Sequence, residues 1–252
     1  MKLVLFDIDG TLLDGGGQTR ELLAVAAETA CGAAGTLRSD GFAGRTDDQI
    51  IFHALQAGGL PEPRIAAVLP QIKTHYLELL GERLDRARME LLPGVEATLE
   101  RLEATDDVEV GLLTGNWEGG ARLKLGRVEI ESYFAFGAFG DDCKDRLELP
   151  PVALREASRH VGHEFAFDDV LIVGDTENDA RCARGHGIAM LAVATGAVSP
   201  AALARAGADW VVEDLLQVDV VAVLGRLSDA GSAAPRVDAR NGLSRFPTDH
   251  SG

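Results

Sequence analysis

Cysteine, positive charge and long apolar runs are all scarce in this chain. Its three cysteines, Cys31, Cys143 and Cys182, are odd in number and far apart. They offer neither a disulfide framework nor a C-x-x-C metal pair, and such usage fits a reducing cytoplasm. Lysine and arginine number 24 against 40 aspartates and glutamates, a net charge of −16. That balance argues against nucleic acid or an anionic membrane as partner, because phosphate-rich surfaces call for basic patches. Four apolar residues, Leu3 to Phe6, precede Asp7. They are too few for a signal peptide, and no later stretch is expected to cross a bilayer. G-x-G-x-x-G and Walker loops are missing, which argues against dinucleotide and nucleoside-triphosphate binding. The histidines do not suggest a metal site: His160 and His163 flank a glycine at an expected helix end, and His53, His75 and His186 stand alone.

What is present is a 46% hydrophobic chain of 252 residues, enough for one large domain or two smaller ones with a buried core. The stretch Leu3-Val4-Leu5-Phe6-Asp7-Ile8-Asp9-Gly10-Thr11 runs four apolar residues into two aspartates. A short run apolar on both faces reads as a buried parallel strand, and its carboxyl end is where open α/β sheets bind ligands. Two carboxylates that close repel, and a bound cation is the simplest way to keep both ionised. The pattern of an apolar strand ending in Asp returns at Val170–Asp175, with Asp179 four residues on. A third strand, Val108–Thr114, ends in a hydroxyl.

Between these strands the chain alternates. After Asp14-Gly15-Gly16-Gly17, a helical pattern covers Gln18 to about Cys31, and helical periods without a convincing strand continue to about Met89. Leu92-Pro93-Gly94 reads as a return hinge. Helices are expected from Val95, over Gly119–Val128, from Pro150–Pro151 to His160, up to His186 and over Ala201–Ala206, with further strands at Ile188–Ala194 and Trp210–Val212. The fold class is therefore α/β, a doubly wound parallel sheet. Its core is expected over 1–14 and 90–227, with an α-helical insertion over 15–89. The aperiodic Ser-, Ala-, Gly- and Pro-rich segment 228–252 is expected to be a disordered tail.

In type, order and separation, Asp7 and Asp9, then Thr114, then Gly174-Asp175 with Asp179 resemble the motifs of the haloacid dehalogenase superfamily of phosphohydrolases, over about residues 1–225. The resemblance implies a Rossmann-like core and makes the helical insertion a mobile cap. It implies that Asp7 is a nucleophile forming an aspartyl-phosphate and that Asp9 is the general acid and base. An Asp at this second position suits phosphatases and mutases, since halide leaving groups need no proton. Mg²⁺ would be held by Asp7, the backbone carbonyl of Asp9 and Asp175, with Asp179 supporting directly or through water. Thr114, with Gly115 and Asn116, would cradle phosphate. The family's basic third motif, usually Lys-Pro, is altered here to Asp141-Asp142-Cys143-Lys144-Asp145-Arg146. Lys144 and Arg146 compete for that role, and Arg146 lies nearer the expected helix start. In the insertion, Gly44-Arg45-Thr46-Asp47 is similar to the substrate-facing loop of phosphoglycolate-phosphatase-like members. Arg45 would then meet a substrate carboxylate or phosphate, or else be a surface arginine.

Each of these residues has a plainer reading in isolation. Asp7 caps a turn, Asp9 makes an Asx turn, Asp175 and Asp179 serve a helix start, and Thr114 is simply a strand threonine. Taken together, they point to a Mg²⁺-dependent phosphatase of small phosphate monoesters. A sugar-phosphate mutase and a non-catalytic protein of the same fold are the alternatives. The protein is expected to be cytoplasmic, as a monomer or homodimer, with a small phosphate ester as its partner. The net negative charge then requires local cations to receive an anionic substrate.

Overall fold

In the computed structural model, residues 1–39, 41 and 43–227 are described; the expected disordered tail lies outside them. The elements run β1 (Lys2–Phe6), β2 (Leu13–Asp14), α1 (Gln18–Cys31), α2 (Asp47–Ala57), α3 (Glu62–Arg83), β3 (Glu90–Leu91) and α4 (Val95–Glu103). They continue β4 (Val108–Leu113), α5 (Glu118–Arg127), β5 (Gly137–Ala138), α6 (Leu149–Val161), β6 (Val170–Gly174) and α7 (Glu177–His186). Last come β7 (Ala189–Val193), α8 (Pro200–Ala206), β8 (Trp210–Val212) and α9 (Val220–Leu227).

Six strands form a parallel sheet in the order β5-β4-β1-β6-β7-β8. Side chains alternate across a strand, so each central strand feeds two cores. Val4, Phe6, Leu112, Leu171 and Val173 face one way, against α4, α5 and α9. Leu3, Leu5, Leu113, Val170 and Ile172 face the other, against α6, α7 and α8. Burial on both faces explains why these strands read as continuous apolar runs.

Between β2 and β3, helices α1, α2 and α3 pack around a separate apolar cluster that includes Leu23, Leu55, Ile72, Tyr76 and Leu80. Trp117, at the start of α5, joins this cluster and is 1% exposed. The insertion leaves and rejoins the sheet through a two-stranded antiparallel ribbon in which Leu13 pairs with Leu91 and Asp14 with Glu90. Two residues per strand are too few to show alternation, so the sequence pattern gives no sign of this ribbon as strands. For the same reason β5 is much shorter than the apolar stretch 133–139 suggests. Helix α9, whose apolar face closes the first core, also lies beyond what the pattern identified.

Candidate active site

The two strands that run into aspartate are neighbours at the centre of the sheet. Leu5 pairs with Ile172 and Phe6 with Val173, and the ladder extends one residue further as Asp7 N–H donates to Val173 O at 2.9 Å. Asp7 and Asp175 thus emerge side by side at the carboxyl edge. Gly10, with φ of 85°, makes that proximity possible, because a Cβ there would collide with the Asp175 carboxylate. Thr11 Oγ1 donates to Asp175 Oδ1 at 3.0 Å.

Asp179 belongs to the first turn of α7. Thr176 caps that helix by accepting from Asp179 N–H, and Asp179 Oδ2 in return accepts from Thr176 N at 3.0 Å and Oγ1 at 2.6 Å. Its other oxygen, Oδ1, accepts from Arg146 Nη2 at 2.5 Å. Asp7, Asp175 and Asp179 each present a carboxylate oxygen within 4.8 Å of the others, and all three are buried. Both Asp179 oxygens are already engaged by the protein, so its geometry is that of an orienting group for Arg146.

Arg146 and Lys144 part company here. Arg146 is 4% exposed and reaches Asp7 Oδ1 at 3.1 Å as well as Asp179. Lys144 is exposed and makes no ion pair among the described residues. The expectation that either could serve the site is corrected in favour of Arg146. A single turn of 3₁₀ helix over Arg146–Glu148, capped by Asp145, turns the guanidinium inward and leaves Lys144 on the outer approach.

Arg146 does not satisfy Asp7 completely. Its approach to Asp7 Oδ1 lies off hydrogen-bond geometry, so Asp7 Oδ1 is a buried acceptor without a donor, and Arg146 Nε is a buried donor without an acceptor. Burial pushes the Asp7 carboxyl up to about 6, against the pull of Arg146 and with the push of Asp179. Burial, then Asp179 and Asp7, push Asp175 up to about 8. Carboxyls gathered this closely in a cleft fit a site for a metal ion.

Asp9 faces a different partner. Lys124 Nζ lies 2.9 and 2.7 Å from its two oxygens, and Asn116 Nδ2 donates to Oδ2 at 2.8 Å. Lys124 also donates to Asn116 Oδ1 at 2.5 Å. Burial opposes ionisation of Asp9, but the charge and hydrogen bond of Lys124 overcome it and hold the carboxyl below its ordinary range. The Asp9 carboxylate is thus tied to Lys124 and Asn116 and is not one of the three acids that cluster, which leaves its backbone carbonyl as the candidate ligand there. Lys124 was not singled out from sequence. The signal was present: Ala121, Leu125 and Val128 form the buried stripe of α5, and Lys124, 3% exposed, falls on it.

Thr114 is wholly buried, and its Oγ1 accepts from Asn116 N at 3.3 Å and Nδ2 at 2.8 Å. Gly115 passes directly beneath the insertion: a Cβ there would strike the Arg45 carbonyl, and Gly115 O accepts from Asp47 N at 2.8 Å. Of the three residues expected to cradle phosphate, it is Asn116 that lines the cavity. Trp117 completes the junction, its backbone N–H donating to Asp47 Oδ2 at 2.9 Å and its Nε1 to Asp48 Oδ1 at 2.8 Å. Burial pushes the Asp47 carboxyl up to about 6.

Between the sheet edge and the insertion lies a cavity of about 430 Å³. Asp7, Asp9, Asp175 and Arg146 line its floor, and Arg20 and Arg45 come from the insertion side. That volume suits a small molecule.

Comparison with known proteins agrees with this geometry. The model of the haloacid dehalogenase-like hydrolase family matches residues 4–193. The chain belongs to that family. A phosphoglycolate phosphatase of Vibrio cholerae is 27% identical over 220 residues, covering 85% of this chain and 94% of that protein. The fold matches the crystal structure of a predicted phosphoglycolate phosphatase from Haemophilus somnus with a TM-score of 0.64, 21% identity and coverage of 88% of this chain and 97% of that one. It also matches a β-phosphoglucomutase from Clostridium difficile with a TM-score of 0.66, 15% identity and coverage of 91% and 98%. No helix among the described residues is long and apolar enough to cross a membrane.

Proposed function

We propose that the protein is a Mg²⁺-dependent phosphatase of small organic phosphate monoesters that works through an aspartyl-phosphate on Asp7. The observation that carries this reading is the pair of orphaned buried atoms, Asp7 Oδ1 lacking a donor and Arg146 Nε lacking an acceptor, in one cluster of acids. An unsatisfied carboxylate oxygen beside Asp175 fits a hard divalent cation, and an unsatisfied guanidinium N–H fits a phosphoryl oxygen. Asp7, Asp175 and the Asp9 backbone carbonyl would hold the ion, with Asp179 acting through Arg146. When bound, Mg²⁺ offsets charge on the phosphoryl oxygens.

In the first half-reaction an Asp7 carboxylate oxygen attacks phosphorus, the ester P–O bond breaks, and the departing oxygen takes a proton from Asp9, the reacting form being the one in which Asp9 has taken up a proton from solvent against the pull of Lys124. In the second, water attacks the phosphorus. Asp9 recovers a proton from that water, and the bond between phosphorus and the Asp7 oxygen breaks. Arg146 counters charge on the phosphoryl group throughout and fixes Asp7 through its tie to Asp179. The helical insertion acts as the cap that keeps bulk water from the intermediate.

Arg20 and Arg45 extend the reading to the substrate. Both are exposed to the cavity, and neither makes an ion pair among the described residues. The other cavity cations, Arg146 and Lys124, are committed to protein carboxylates. A substrate with a second anionic group, as in phosphoglycolate, would engage the two free arginines. The names of the curated relatives support the same choice.

The test is release of inorganic phosphate from a panel of monoesters that includes phosphoglycolate, glycerol phosphate and sugar phosphates, with Mg²⁺ or EDTA. Mg²⁺-dependent hydrolysis strongest with a carboxylate-bearing ester is expected. An isomeric phosphate ester in place of free phosphate would instead mark a mutase. No turnover across the panel would refute an enzymatic role.

A further inference from the structure

Lys124 belongs to the site, yet neither a motif nor the half-reactions above explain it. A lysine side chain as deeply buried as this is retained only when its charge is matched. Here all three donor positions are taken up, by both Asp9 oxygens and by Asn116 Oδ1. Lys124 therefore has no hydrogen left for a substrate phosphoryl group. Asn116 closes the triangle, donating from Nδ2 to Asp9 and to Thr114 Oγ1. The result is a rigid brace from α5 and the loop after β4 to the one carboxylate whose position decides proton transfer. Asp9 lies two residues from Asp7, on a chain segment where two unbraced carboxylates would repel and scatter. A proton donor must be held within hydrogen-bond reach of the leaving oxygen, and small misplacement is costly.

We infer that Lys124 is a positioning residue for the leaving-group proton, acting entirely through Asp9 with Asn116 as its second anchor. This rests on the phosphatase reading, in which Asp9 protonates the departing oxygen.

The constant kcat/KM reports only the steps through formation of the aspartyl-phosphate, so it isolates that proton. An alkyl ester such as phosphoglycolate or glycerol phosphate needs the proton, whereas p-nitrophenyl phosphate has a leaving group stable as an anion. In Lys124→Met, kcat/KM is expected to fall roughly 10- to 100-fold for the alkyl ester and less than about threefold for p-nitrophenyl phosphate. Asp9→Asn should show the same contrast. The double variant should be no slower than Asp9→Asn alone, because a residue that acts through another loses its effect once that partner is gone. Lys124→Arg, which keeps a cation within reach of Asp9, should restore most of the loss. Should Lys124→Met fail to fold, Lys124→Gln is held to the same criteria.

Equal losses on both esters, or a further loss from Lys124→Met in the Asp9→Asn background, would show that Lys124 acts on the phosphoryl group or on the fold, and would overturn the inference. So would an unchanged rate for the alkyl ester. Each of these results leaves wild-type turnover intact and so leaves the phosphatase reading standing. Wild-type protein inert toward every ester would remove both.

Discussion

The acids at the sheet edge should make the metal-free protein lose stability as the solution becomes more alkaline, opposite to a salt-bridged carboxylate. Asp175 is 3% exposed, and burial together with Asp179 and Asp7 raises its carboxyl from the ordinary 3.8 to about 8. The folded state thus binds this proton where the unfolded chain has already released it. Stability is full below the unfolded value and declines as pH rises toward the folded one. Between pH 6 and 8 one such proton, bound at the lower pH and half lost at the upper, lowers the unfolding free energy by about 2 kcal/mol in all. For a domain of this size that corresponds to a fall in Tm of about 4–8 °C. Asp7, raised to about 6, adds its own loss at lower pH, where acid effects on other carboxylates overlap it. The assay is a thermal melt at pH 6, 7 and 8 in EDTA, repeated with saturating Mg²⁺. The slope should be present in EDTA and vanish or reverse with Mg²⁺, because an ion that binds the ionised carboxyls takes the proton's place. Asp175→Asn should flatten the EDTA slope and melt higher than wild type at pH 8. A wild-type Tm in EDTA that holds or rises from pH 6 to 8, or a slope that persists in Asp175→Asn, would refute the reasoning.

Asp7→Asn should abolish phosphate release while melting in EDTA at pH 8 no lower than wild type, since it removes an incompletely paired buried charge; residual turnover would contradict the nucleophile assignment. Arg146→Met leaves Asp7 and Asp179 without their shared cation and should destabilise the fold by about 3–5 kcal/mol, as read by urea unfolding, as well as eliminate turnover. Lys144→Ala should stay within about 0.5 kcal/mol and keep its rate. Arg20→Ala and Arg45→Ala should each raise KM for phosphoglycolate about tenfold and leave p-nitrophenyl phosphate unaffected, as expected for loss of a charge-assisted contact; equal effects on both esters would place the arginines elsewhere.

The sheet and its acids were legible in the sequence because burial on both faces writes strands as apolar runs and an aspartate ending such a run stands out. The choice between Lys144 and Arg146 turned on distance from a helix start, and the 3₁₀ turn at 146–148 decides it in the same direction. What escaped depends on partners remote in the chain. Lys124 looks like any helical lysine until its position on the stripe of Ala121 and Leu125 is weighed, and Asp9 lies 115 residues away. Asp47 and Asp48 resemble ordinary first-turn acids, yet they grip Trp117 across some 70 residues. Asp175 and Asp179 are the same residue type on one short segment, but only contacts separate them. Thr176 and Arg146 occupy both oxygens of Asp179, whereas Thr11 is the one side-chain donor to Asp175 among the described residues.

An acidic protein can receive the proposed anionic substrate only if charges within its site are locally balanced. Asp9 and Lys124 cancel each other. Asp7, Asp175 and Asp179 share a single guanidinium, that of Arg146, which leaves two negative charges uncompensated in a buried place. Self-energy at that depth is prohibitive, and burial accordingly pushes the carboxyls of Asp7 and Asp175 up, toward the protonated form. A divalent ion would supply the compensating charge in one step, where a further basic side chain would supply half. With the cluster so neutralised, the chain's −16 would no longer govern the cavity floor, and in the proposed phosphatase Arg20 and Arg45, which make no ion pair among the described residues, would be left to receive the anion.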